Sequence, residues 1–109
     1  MELRELKSRF ANLDVYEQRD SQEDYEELVF YARDLEKWEE ILCDFFGQPA
    51  KPAEAKPTRA DSKLTREFGG VFKGQTLFKK DMPEKTVIAM LWPWQDNEHI
   101  TLKIASIKK

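Results

Sequence analysis

The side chains able to do chemistry are few and scattered. The single histidine is His99 and the single cysteine is Cys43. One of each is too few for a structural zinc site, and a lone cysteine forms no intrachain disulfide. His99 stands beside a turn, at the start of a strand-like segment, and reads as a surface histidine rather than a general base. Cys43 lies among Glu39, Glu40 and Asp44, an electronegative setting that opposes thiolate formation, so it reads as a small core hydrophobe. The glycines of Phe68-Gly69-Gly70-Val71-Phe72-Lys73-Gly74 follow a helical pattern and precede a strand pattern. That is the wrong order for a phosphate-binding loop, and no Gly-Lys-Ser/Thr is present. Acidic pairs such as Glu26-Glu27 and Glu39-Glu40 are adjacent in sequence and do not share a helix face. No catalytic, cofactor-binding or metal-ligating set is therefore assigned, and the expectation is a protein that is not an enzyme and needs no cofactor. An enzyme with a site composed across an oligomer stands third among the functional readings.

Two groupings point to binding. In Met90-Leu91-Trp92-Pro93-Trp94, strand alternation puts Met90, Trp92 and Trp94 on one face. Beside lysines such as Lys73, Lys79 and Lys103, that face would suit single-stranded nucleic acid, by base stacking plus phosphate attraction. The second grouping is Leu28, Tyr31, Leu35, Trp38, Leu42 and Phe45, spaced three, four, three, four, three. This is an a/d seam over nearly three heptads, and it predicts one long helix over residues 22–46. A 25-residue helix is long for a 109-residue chain. Its seam exceeds what a first helix over 2–16 (Leu3, Leu6, Phe10, Leu13) could cover, which predicts a homodimer through the long helix.

The elements expected to position these groups are of two kinds. Residues 1–47 read as a helical hairpin with a turn at the wholly polar Glu17–Asp24, stopped by Gly47 and Pro49. Residues 48–60, QPAKPAEAKPTRA, have a linker composition and are expected to be mobile. Residues 61–109 read as a short helix, capped by Asp61 or Ser62, and a three-stranded antiparallel meander over 71–79, 86–94 and 99–107. Regular pairing should end or bulge at Pro93, which has no N–H to donate. The fold class is thus α+β.

Composition agrees with a soluble domain: apolar residues make up 40% and charged residues 36%, and no apolar run approaches a membrane span. The N-terminus is charged throughout and unlike a secretory signal, so a cytoplasmic protein without membrane contact is expected. Net charge is −3, but residues 1–47 carry −8 and residues 48–109 carry +5. The leading functional reading is a protein-interaction or self-assembly module. The runner-up is the single-stranded nucleic-acid binder with the lysine–tryptophan sheet face.

Overall fold

The computed structural model describes residues 2–109. The elements are α1 (Glu2–Arg9), β1 (Glu17–Gln22), β2 (Tyr25–Tyr31), α2 (Leu35–Phe46), α3 (Arg59–Thr65), β3 (Thr76–Asp81), β4 (Lys85–Pro93) and β5 (His99–Lys108). Short 3₁₀ turns, Ala32–Asp34 and Arg66–Phe68, lead into α2 and out of α3. The strands form one antiparallel sheet in the order β1-β2-β5-β4-β3. The fold is α+β, and no helix among the described residues is long and apolar enough to cross a membrane.

A three-stranded meander is present as β3-β4-β5, with its first strand starting at Thr76 rather than residue 71 because Phe72–Gln75 form a turn, and two more strands join it from the N-terminal half. The expected 22–46 helix exists only from Leu35 onward. Its first part is β2, where Leu28, Val29 and Phe30 are all fully buried. Three consecutive buried residues fit a strand covered on both faces better than one stripe of a helix. The same residues satisfy both periods, Leu28/Phe30 alternating at two and Leu28/Tyr31/Leu35 spaced at three and four, and pairing with β5 decides between them. The polar stretch expected to be a turn is β1. An edge strand needs no apolar residue, and all but Asp20 of its six are exposed. A bulge between Gln18 and Asp20, together with the charges, blunts this edge against further pairing. The first helix ends at Arg9 rather than residue 16. The helical stop at Gly47 is where expected, with φ +85 and its N–H bonded to Cys43 O at 2.7 Å. β4 ends at Pro93, also as expected.

Helices cover both faces of the sheet. On one face, α1 (Leu3, Leu6) with the following Phe10, and α2 (Trp38, Leu42), pack on Leu28, Phe30, Phe78, Val87, Ala89, Leu91, Leu102 and Ile104. Trp38 is stacked between Phe10 and Phe30, with centroids at 4.6 and 4.4 Å. The seam read as a dimer interface is thus intramolecular core at Leu28, Trp38 and Leu42. Leu35 and Phe45 are half-buried at its margin, and Tyr31 lies in β2, outside the helix. On the other face, Leu64 of α3 and Phe68 pack on Leu77, Ile88, Met90 and Ala105. α3 starts two residues before the expected caps, in a reciprocal capping box between Thr58 and Asp61.

Residues 48–60 are no boundary between two units, because the sheet draws strands from both sides of them. They are also pinned midway. Lys51 and Leu77 exchange backbone hydrogen bonds at 3.1 and 3.0 Å, and Gly74 N–H bonds to Ala53 O at 2.7 Å. The Lys51 side chain is buried, its ammonium donating to the carbonyls of Pro52 and Gln75.

Candidate functional site

The residues expected to form a lysine–tryptophan face are only partly brought together. Met90 is fully buried beneath the α3 layer. The Lys103 ammonium lies 3.6 Å from the centre of the Trp92 ring and donates to Phe68 O at 2.9 Å. Burial pushes this ammonium below its usual value, and the facing Glu27 partly offsets that. Trp92 in turn lies against Gly69. This part of the sheet face is therefore covered by the chain's own residues 68–70. Lys73 is exposed in the turn before β3, and Lys79 is exposed on β3 with Asp81 at 3.7 Å. Among the described residues, neither lies over a tryptophan ring. The correction for Met90 and Trp92 has a simple cause: a strand apolar on both faces is covered on both faces, the second time by α3 and its 3₁₀ extension.

Gly69 shows how close that cover is. Its φ is +100, and a Cβ there would stand 2.6 Å from Trp92 Cη2. Gly69→Ala is expected to destabilise the fold by about 1–3 kcal/mol through the left-handed backbone, with further cost from the ring that must move. The check is the urea midpoint together with the emission maximum of Trp92 in a Trp38→Phe/Trp94→Phe background. An unchanged midpoint would show that the loop reaches Gly69 in another way.

Trp94 belongs to a different grouping at the end of the sheet where β2 finishes and β5 begins. Asp96, Asn97 and Glu98 form the β4–β5 turn, with Asn97 in the left-handed region at φ 60. Asp96 Oδ1 accepts from the backbone N–H of Glu98 and His99 at 2.8 and 3.1 Å, and its Oδ2 lies 2.6 Å from His99 Nδ1. The Glu98 N–H first, and then the imidazole, hold the Asp96 carboxyl below the usual range. With Nδ1 facing a carboxylate, that nitrogen carries the proton and donates it to Asp96 Oδ2.

Three aromatic rings surround this histidine. Tyr16 is 4.1 Å away between centroids, Trp94 4.9 Å and Tyr31 5.8 Å. Tyr16 meets Tyr31 and Trp94 edge-on, and its N–H bonds to Val29 O at 2.8 Å, which extends the β1–β2 ladder by a residue. Trp94 Nε1–H donates to Thr101 Oγ1 at 2.8 Å. Two arginines flank the group: Arg19 over Trp94 at 5.5 Å and Arg33 over Tyr31 at 4.4 Å. Tyr16 is nonetheless 49% exposed, one of three large apolar or aromatic side chains standing out among the described residues.

Of this grouping the sequence reading singled out Trp94 for contact, Tyr31 for a helix seam and His99 as a surface residue. Tyr16, Arg19, Arg33 and Asp96 went unmarked. Trp94 and His99 meet across the β4–β5 turn, but Tyr16 and Tyr31 join them only through β2–β5 pairing, so no local spacing encodes the whole group. The one local signal was the aspartate three residues before the histidine, in a turn-forming stretch. Comparison with family models, curated proteins and solved structures finds no match to this chain.

Proposed function

We infer that this chain is a protein-interaction module that binds a second copy of itself through the surface around Tyr16. The observation that carries this reading is the half-exposed Tyr16, fixed at its backbone and ringed by Trp94, Tyr31 and His99 with two arginines outside. Tyrosine, tryptophan and arginine are the residue types that dominate contact energies, and rigid rings lose little entropy when they are covered. The surrounding charges favour a partner of the same kind. Arg19 pairs with Glu17 at 3.3 Å, and Arg33 lies 3.8 Å from Asp14. A surface with both signs interleaved is complementary to itself across a two-fold axis, as an isologous dimer requires. The contact would run through side chains, because the bulged and charged β1 edge resists strand addition.

Sedimentation equilibrium over a concentration series tests this. The wild type is expected to dimerise, and Tyr16→Ala is expected to weaken the dimer at least tenfold, about 1.4 kcal/mol or more. Tyr16→Ala also removes the ring's contacts with Trp94, Tyr31 and His99, so the unfolding midpoint is measured alongside and the two chains are compared where both are folded. A wild type that stays monomeric at hundreds of micromolar, or a Tyr16→Ala chain that dimerises equally, would overturn the reading.

A further inference from the structure

The segment between α2 and β3 carries charges that nothing in the fold uses. Lys56, Arg59, Lys63, Arg66 and Lys73 are all exposed, and none has an ion pair or side-chain hydrogen bond among the described residues. By contrast, Arg9, Arg19, Arg33, Lys37, Lys79 and Lys109 each lie within 4 Å of a carboxylate. Arg59, Lys63 and Arg66 follow at i, i+4 and i+7, one line along α3 and its 3₁₀ extension, with a rise of about 6 Å between the first two. The acidic Asp61 on the same helix is occupied as the partner of Thr58 in the capping box.

Phe72 follows in the loop that joins the 3₁₀ turn Arg66–Phe68 to β3. It is 59% exposed, the most exposed large apolar side chain among those the structure describes. Its loop is nonetheless ordered by short contacts. Phe72 N–H donates to Gln75 Oε1 at 2.9 Å, and Gln75 N–H returns to Phe72 O at 3.0 Å. The loop is tied to the helix by Gly70 N–H to Thr65 O at 2.9 Å. The ring lies back over Gly70, where a Cβ would come within 3.3 Å of it. The backbone that carries the ring is thus held, while much of the ring is open to solvent.

We propose that this surface binds single-stranded nucleic acid, with phosphates on the five unpaired cations and a base stacked on Phe72. Unpaired cations in a row supply the phosphate attraction, and an open ring on a held backbone supplies the sequence-tolerant stacking that such proteins use. A lipid surface fits less well. The apolar side of α3, Leu64 and the buried Thr65, together with Phe68 beyond it, is committed to the protein's own second core, so this is no helix with an apolar face free to enter a bilayer. None of these five cations, nor Phe72, belongs to the grouping around Tyr16, so the variants that test the two proposals do not overlap.

The test is the anisotropy of a fluorescein-labelled oligothymidine of about 20 nucleotides, titrated with the full chain. If all five cations meet phosphates, log K should fall with log salt at a slope of about −3.5, which makes binding about a hundredfold weaker at ~200 mM salt than at ~50 mM. The Arg59→Gln/Lys63→Gln chain should flatten that slope by about 1.4. Phe72→Ala should weaken binding about tenfold at unchanged slope. All three positions are exposed, so unfolding midpoints should match the wild type and confirm that each variant folds. Absence of binding at low salt with hundreds of micromolar protein would overturn the proposal, as would a slope indifferent to the double substitution. Equal displacement by polyglutamate of the same charge, or tighter association with phosphatidylserine vesicles, would also overturn it by assigning the surface to another class of partner.

Discussion

Trp38→Ala is expected to destabilise the protein by about 3–5 kcal/mol, the range for deleting a fully buried large aromatic. Trp38 has no exposed surface, and two rings flank it, Phe10 after α1 and Phe30 in β2. Removing it opens a void in the layer that joins both N-terminal helices to the sheet. Those flanking rings come from different elements and cannot both collapse into the gap without moving a strand. Stability margins of whole domains run at about 5–15 kcal/mol, so this one change takes a large share. Urea unfolding followed by far-ultraviolet circular dichroism is the measurement. Trp38→Phe, which keeps a ring in the slot, should cost clearly less. Equal losses for the two variants would mean that the indole's stacking is not what holds α1 and α2 to the sheet.

Lys51 should have the next largest effect. Its ammonium is buried and, with no ion-pair partner among the described residues, is held by backbone carbonyls. Lys51→Ala leaves the Gln75 carbonyl without that donor and empties the space of the stem, at an expected cost of about 3 kcal/mol. Burial also lowers the ammonium from its usual 10.5, against the opposing pull of Asp61 and Glu54. The folded chain then holds this proton less tightly than the unfolded chain does. Between the lowered value and 10.5 the unfolded chain binds more protons, so stability contributed by this group rises with pH across that interval. Tyr25 works in the opposite sense. Desolvation first, and then the hydrogen bond to Glu27 at 2.7 Å, raise its phenol above the usual 10.0. The unfolded chain loses that proton first, and stability falls above about pH 10. Urea midpoints measured from neutral to alkaline pH should therefore climb less in Lys51→Met than in the wild type. Parallel profiles for the two chains would show Lys51 titrating as an exposed lysine does.

The C-terminal half was legible in the sequence because its signals are local. Turn residues bracket β4 and β5, Pro93 marks the end of β4, and Gly69-Gly70 closes the short helix, all within a few residues of what they control. The N-terminal half was misread where two periods coincide. Leu28, Tyr31 and Leu35 obey a heptad, while Leu28 and Phe30 obey an alternation, and only the distant partner β5 selects the second. β1 had no apolar pattern to read, since this edge strand is held by ladder bonds and polar contacts such as Gln18 Nε2 to Glu26 Oε2 at 2.9 Å. The candidate site suffered most from this. Its aromatic members were each visible, but Tyr16 and Tyr31 meet Trp94 and His99 only after β2 pairs with β5. Lys51 looked like one more linker lysine, and nothing nearby in sequence says that residue 51 will lie beside residue 77. The charge difference between the halves, by contrast, survives into three dimensions. The exposed acids of α2 (Glu36, Glu40 and Asp44) and the unpaired cations near α3 occupy layers on opposite faces of the sheet.

The strand order has a consequence for how the chain is made. β5 is the middle strand of the sheet, yet it is the last of the five to leave the ribosome. Until it emerges, β1–β2 and β3–β4 are two separate hairpins, each marginal on its own, and β2 and β4 each present an open edge. Leu28, Phe30, Val87 and Leu91 are wetted on those ribbons at that stage. The β2–β5 register joins residues about 70–80 positions apart, a slow, non-local closure. Nascent chains shorter than about residue 100 would thus pass through a sticky interval, in which a trigger-factor-like holdase or mere speed of translation governs yield. A chain truncated just before His99 should aggregate far more than one truncated before Thr76, which carries only one such edge.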